Sequence, residues 1–85
     1  MSAEIYVIWP GCVYIGIERK KPERITGPSV ALETLERRWP QVRGHHYYTA
    51  KAACLAALNW KCSSVVARKA FIAAAIEAEI LVSLT

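Results

Sequence analysis

Apolar and polar positions divide the chain into short patterned runs separated by charged or Pro/Gly breaks, and the first run is the most regular. Ile5-Tyr6-Val7-Ile8-Trp9 and Cys12-Val13-Tyr14-Ile15-Gly16-Ile17 are rich in β-branched and aromatic residues and flank Pro10-Gly11. Such residues fit a pleated surface, and a Pro-Gly pair suits the two central positions of a type II turn. The pattern predicts a β-hairpin. With Trp9 opposite Cys12, one face carries Ile5, Val7, Trp9, Cys12 and Tyr14, and the other carries Tyr6, Ile8, Val13 and Ile15. Neither face is polar, so both are expected to be covered, by helices of this chain or by a partner chain.

Glu18 to Arg24 follows as a charged loop broken by Pro22, with four basic residues against two acidic. In Thr26-Gly27-Pro28-Ser29, Ser29 is the expected N-cap of a helix from Val30 to Trp39; its hydroxyl would accept from an N–H two or three residues on. Leu32, Leu35 and Trp39 share one stripe of that helix, Glu33 and Arg37 stand in the favourable order for an ion pair, and Pro40 stops it. Gln41 to Tyr48 is short and aromatic and reads as a third strand. Thr49 would cap the next helix, Ala50 to Trp60, whose alanines allow close packing on a sheet, and Ser63 or Ser64 offers the following cap.

The last helix is expected from Val65 to Val82. Ala67, Ala70, Phe71, Ala74, Ala78 and Leu81 form one apolar face, and Val65, Ile72, Ile76 and Ile80 a second stripe between Arg68 and Glu79 on one side and Lys69 on the other. Ile80 to Leu84 has β propensity and is the alternative strand, but no turn signal separates it from the helix. The expected fold is one α+β domain, residues 1–85: a small antiparallel sheet packed by two to three helices in the order ββαβαα.

Composition narrows the function. A hydrophobic content of 54% is high for 85 residues, so part of the apolar area is expected to meet a partner or a second copy. The net charge of +4 permits contact with nucleic acid or an acidic protein without requiring either. Met1-Ser2-Ala3-Glu4 has no basic region leading into an apolar core of signal-peptide type, so no such peptide is expected, and no apolar run reaches the roughly 18 to 20 residues that span a bilayer. Three cysteines, an odd count, suggest free thiols in a reducing compartment, with the cytoplasm as the default.

Chemistry-bearing patterns are few. The chain has no Gly-rich phosphate loop, no evident carboxylate pair and no Gly-x-Ser-x-Gly elbow. His45-His46 beside Tyr47-Tyr48 is the one cluster suited to proton chemistry, but neighbours on a strand point to opposite faces and cannot share a site. Cys54, Cys62 and a histidine lack the tight ligand pairs of structural zinc, so neither metal nor cofactor is expected.

Tyr6-Val7, Gly11, Gly16-Ile17 and Val42-Arg43-Gly44 together resemble the pattern of the viroplasmin-like domain at the N-terminus of eukaryotic ribonuclease H. The resemblance implies a small sheet with helices in ββαβα order that binds RNA–DNA hybrids and double-stranded RNA.

The favoured expectation is a non-enzymatic protein-interaction module, acting as a stoichiometric inhibitor of a larger protein in the manner of phage anti-defence proteins. Its expected contact is the stripe Val65, Ile72, Ile76 and Ile80, through which a homodimer would also form. The alternative is a nucleic-acid-binding module for duplex RNA or RNA–DNA hybrid that uses Arg19, Lys20, Lys21, Arg24, Arg43 and Lys51.

Overall fold

The computed structural model describes residues 8–18 and 21–84. Six elements follow in the order β-β-α-α-α-β: β1 (Val13–Ile15), β2 (Glu23–Ile25), α1 (Pro28–Arg37), α2 (His45–Leu58), α3 (Ser64–Glu77) and β3 (Leu81–Leu84). The α+β class holds, while the order departs from ββαβαα.

The sheet is antiparallel with strand order β2-β1-β3. Val13 pairs with Ile25 on one side and with Leu84 on the other, and a register shift between Tyr14 and Ile15 marks an irregularity opposite β3. The hairpin expected about Pro10-Gly11 is not seen among the described residues: β1 is the central strand and takes both neighbours from later in the chain, and Ile8 and Trp9 do not pair with it. Ile5 to Val7 of the expected first strand lie outside the described residues. Trp9 is buried and ties the segment in elsewhere: its N–H donates to the Thr26 carbonyl (2.7 Å). Farther along, the Arg68 guanidinium donates to the Gly11 carbonyl (2.8 Å). Ile8 is not core; it is 69% exposed.

Val13, Ile15, Ile17 and Ile25 present the inner face of the sheet to Leu35, Trp39, Tyr47, Cys54 and Phe71. Phe71 lies at the centre, with ring centroids 5.7 Å from Trp9 and 5.5 Å from Trp39. Small residues of α2 and α3, including Ala50, Ala57, Ala67 and Ala74, are buried and let the two helices lie close.

Helix ends explain the boundary corrections. Gly27 is the N-cap of α1 and Pro28 its first residue, so Ser29 sits inside the helix. Proline is suited to that place because the first turn has no use for its missing N–H. Arg38 carries the ion pair at the far end of this helix, reaching Glu23 of β2 at 2.5 Å. The Ser63 cap on α3 is as expected: its hydroxyl accepts from the Val65 N–H at 3.0 Å.

Two further boundaries differ. His45 to Tyr48, expected as a strand, is the first turn of α2, which starts after Gly44 rather than at Thr49. The helical signal was present: Tyr47, Ala50, Cys54 and Ala57 recur at helical spacing and are all buried. α3 stops at Glu77, so the helix expected to run to Val82 is a helix followed by β3, as the alternative reading of Ile80 to Leu84 had it. The stop is a Schellman motif: the Ile80 N–H donates to the Ala75 carbonyl (2.9 Å), the Glu79 N–H to the Ile76 carbonyl (3.0 Å), and Glu79 is left-handed with φ 59°.

Candidate interaction surface

Several polar interactions meet at the start of α2. Every helix leaves its first N–H groups without intrahelical partners. Here Glu77, at the end of α3, fills that role from a neighbouring helix. Its carboxylate accepts from the N–H groups of Gly44, His46 and Tyr47, each at 3.2 Å. Partial burial pushes this carboxyl toward a higher pKa, but the three N–H bonds and nearby His46 outweigh it and hold the carboxyl below its ordinary value. Gly44 leaves room for the approach, since a Cβ there would stand 2.6 Å from Glu77 Oε2 and the carboxylate would have to shift.

Tyr47 continues from this junction into the core. Its hydroxyl donates to the Leu35 carbonyl (2.9 Å), and two cations lie over its ring, with Arg43 Cζ 5.1 Å and Lys51 Nζ 5.5 Å from the centroid. Arg43 also donates to the Pro40 and Trp39 carbonyls (3.2 and 3.1 Å). Two of the six basic residues expected to face phosphate are therefore engaged around one tyrosine. The helix N-terminus beside them already holds a carboxylate. Lys21 and Arg24 are exposed, the latter on β2, while Arg19 and Lys20 lie outside the described residues.

His45 and His46 are both exposed, with ring centroids 5.3 Å apart. They lie in one helical turn rather than on opposite faces of a strand. Burial pushes the Cys54 thiol up to about 12, with Cys62 adding to the effect. A thiol that stays protonated is a poor nucleophile and metal ligand. Among the described residues, no group of three or more His, Cys, Asp or Glu side chains could hold a metal ion. An open groove of about 300 Å³ between α1 and α2 is lined by Ser29, Leu32, Glu33, Glu36, Arg37 and Leu58.

The apolar stripe expected on the last helix is broken up. Val65 and Ile76 are exposed, Ile72 packs against the core, and Ile80 lies beyond the helix and is buried. Ile80 leaves the stripe because the chain leaves the helical path after Glu77, whereas Val65, Ile72 and Ile76 stay on α3 and differ in burial. Other large apolar residues are exposed that the pattern did not single out, among them Tyr48, Leu55, Val66, Val82 and Leu84.

Trp60 is the most unusual of these. It is 69% exposed and has φ 61° at the end of α2. The Lys61 N–H donates to the Ala56 carbonyl (2.8 Å) and the Trp60 N–H to the Ala57 carbonyl (3.1 Å), a second Schellman motif. Glycine is the usual residue at that position because a side chain in left-handed backbone costs about 1–2 kcal/mol. Val65 and Val66, in the first turn of α3, leave the same end of the α2–α3 hairpin exposed. Trp60, between Asn59 and Lys61, falls at the helix end that the sequence predicts. The missing signal was the backbone conformation, which composition does not reveal.

Comparison with known proteins places the chain. Residues 11–82 match the family described as "Protein of unknown function (DUF982)". The chain belongs to that family. The NMR structure of the Agrobacterium tumefaciens protein Atu1219 is similar to it, with 26% identity and a TM-score of 0.78 over 98% of this chain and 87% of that one. No curated protein matches. The DUF982 match and this neighbour overturn the resemblance to the viroplasmin-like domain. The residues that carried it are scattered in the fold: Gly11 precedes β1, Gly16 follows it, and Gly44 caps α2. No helix of the described residues is long and apolar enough to cross a membrane.

Proposed function

We propose that this DUF982 protein is a non-enzymatic interaction module that grips a protein partner at the end of the α2–α3 hairpin, with Trp60 as the anchor. The observation that carries this reading is an indole held in left-handed backbone and turned to solvent. Strain in a folded chain persists where the surroundings enforce it, and it concentrates at functional sites. Tryptophan is enriched among the few residues that dominate interface energetics, because it buries a large rigid area with one polar handle. Val65 and Val66 supply apolar area at the same end, and Lys61 a charged rim. Binding of this kind needs no reacting group and acts by occupying the partner's surface.

The nucleic-acid reading has weaker support, since Arg43 and Lys51 flank Tyr47 and the α2 N-terminus holds Glu77. The test is affinity capture with wild-type protein and with Trp60→Ser as baits, each with and without nuclease, followed by mass spectrometry. A protein retained by wild type, resistant to nuclease and lost with Trp60→Ser supports the reading. Capture that nuclease abolishes, or that ignores the substitution, overturns it.

A further inference from the structure

The two edges of the sheet are treated differently. β2 carries Glu23 and Arg24; Arg38 holds Glu23, and the Trp9 N–H reaches the Thr26 carbonyl just past the strand. Charges and covering segments are the usual protection of an edge against pairing with another chain. β3, Leu-Val-Ser-Leu, has no charge and no proline, and its one ladder among the described residues is with β1. Val82 is 53% and Leu84 47% exposed. Leu84 pairs with Val13, whose side chain faces the helical layer, and cross-strand partners share a face. Among the described residues this edge is unpaired, and it exposes part of what would be core.

We propose that β3 pairs with β3 of a second copy, antiparallel about a two-fold axis through Ser83, to make one continuous sheet of order β2-β1-β3-β3-β1-β2. An antiparallel pair around a perpendicular two-fold keeps both faces of the sheet. Val82 of each copy then lies opposite Leu84 of the other, and small Ser83 meets itself at the axis. The exposed pair becomes mutually covered. A second copy suits this strand because it brings no charge to it; a chain of net charge +4 self-associates most readily through its uncharged surface.

Area sets a further requirement. A standard interface takes about 800 Å² from each partner, a substantial share of the 5349 Å² surface of this chain. Four residues of strand do not supply that area. The rest comes from α3, which leads directly into β3. Glu77 turns toward α2, and at about 100° per residue the exposed Ile76 lies about 100° around the helix from it, so the paired copies would cover Ile76 together with β3. The surface is separate from Trp60, so the two readings fail independently.

Sedimentation equilibrium over a range of concentrations tests the pairing. Wild type and Trp60→Ser both approach twice the chain mass of 9.5 kDa. Val82→Glu and Leu84→Lys each weaken association at least tenfold with circular dichroism unchanged. The double variant Val82→Glu/Leu84→Lys recovers it, because glutamate of one copy faces lysine of the other. A wild type that stays monomeric at the highest concentration, or single variants that associate like wild type, overturns the proposal. Should either variant fail to fold, amide exchange on wild type decides. Protection at Val82, Ser83 or Leu84 that rises with concentration supports the pairing, and protection independent of concentration overturns it.

Discussion

Replacing Glu79 by glycine separates two descriptions of the chain by the sign of its effect. In the structure Glu79 is exposed and left-handed, with φ 59°, at the Schellman stop of α3. A side chain there costs about 1–2 kcal/mol, which glycine avoids, while the extra freedom of glycine in the unfolded chain returns about 0.5–1 kcal/mol. The net expectation is a stabilisation of about 0.5–1 kcal/mol. At about 2.1 cal/mol/K of unfolding entropy per residue, the 85-residue chain gains about 3–6 °C in melting temperature. Had the helix run on to Val82, the same glycine would sit in its interior and cost about 0.5–1 kcal/mol. Glu79→Ala is the control: it keeps the Cβ and the strain, so it should stay within about 0.5 kcal/mol of wild type. Thermal and urea unfolding followed by circular dichroism read all three proteins. A Glu79→Gly protein less stable than wild type, or no different from Glu79→Ala, refutes the left-handed stop and with it the start of β3.

Other outcomes follow from the junction at Glu77 and from the corrected core. Because the folded pKa of Glu77 is held below the ordinary glutamate value, its contribution is present above that ordinary value and is lost as pH falls through the lower folded one; Glu77→Gln should be less stable than wild type near neutrality, and the two stability curves should converge as acid protonates the folded carboxylate. Gly44→Ala should destabilise by pushing its Cβ into that carboxylate, and most of the penalty should vanish in a Glu77→Ala background, as a double-mutant cycle in urea will show. Val13→Ala should cost roughly 1–3 kcal/mol as a fully buried deletion, whereas Ile8→Ala should stay within about 0.5 kcal/mol. Equal effects at the two sites would restore the hairpin about Pro10-Gly11.

What the sequence made legible was the class of fold and much of the core. Leu35, Trp39, Phe71, Ala67 and Ala74 fall on buried faces by helical spacing alone, and all are buried. Partner choice among strands was not legible, because Val13-Tyr14-Ile15 pairs as well with Glu23–Ile25 and Leu81–Leu84 as with anything nearby. β propensity also misled at His45 to Tyr48. There the buried spacing from Tyr47 onward, the Tyr47 hydroxyl bond to Leu35 and the cap from Glu77 outweigh local preference. That cap comes from 33 residues away, and no local pattern announces it. Of the expected stripe, Ile80 was misplaced because no local pattern showed that α3 ends at Glu77.

Glycine usage explains why that end was hard to see. None of the described glycines has positive φ, whereas Glu18, Trp60 and Glu79 do. The chain thus keeps glycine for other work, as at Gly44, where the absence of a Cβ admits Glu77. It places larger residues at the left-handed helix stops where glycine is the usual punctuation. The backbone cost at Trp60 and Glu79 is of the same kind, but the two side chains differ in what they offer. At Glu79 the motif needs only the backbone, since the turn into β3 is made by the N–H groups of Glu79 and Ile80. Glycine there improves the fold and leaves the sheet edge intact. At Trp60 the same backbone relief removes the indole. If the strain is retained for the side chain, glycine at 79 preserves partner capture and glycine at 60 abolishes it, although both variants keep the same turn.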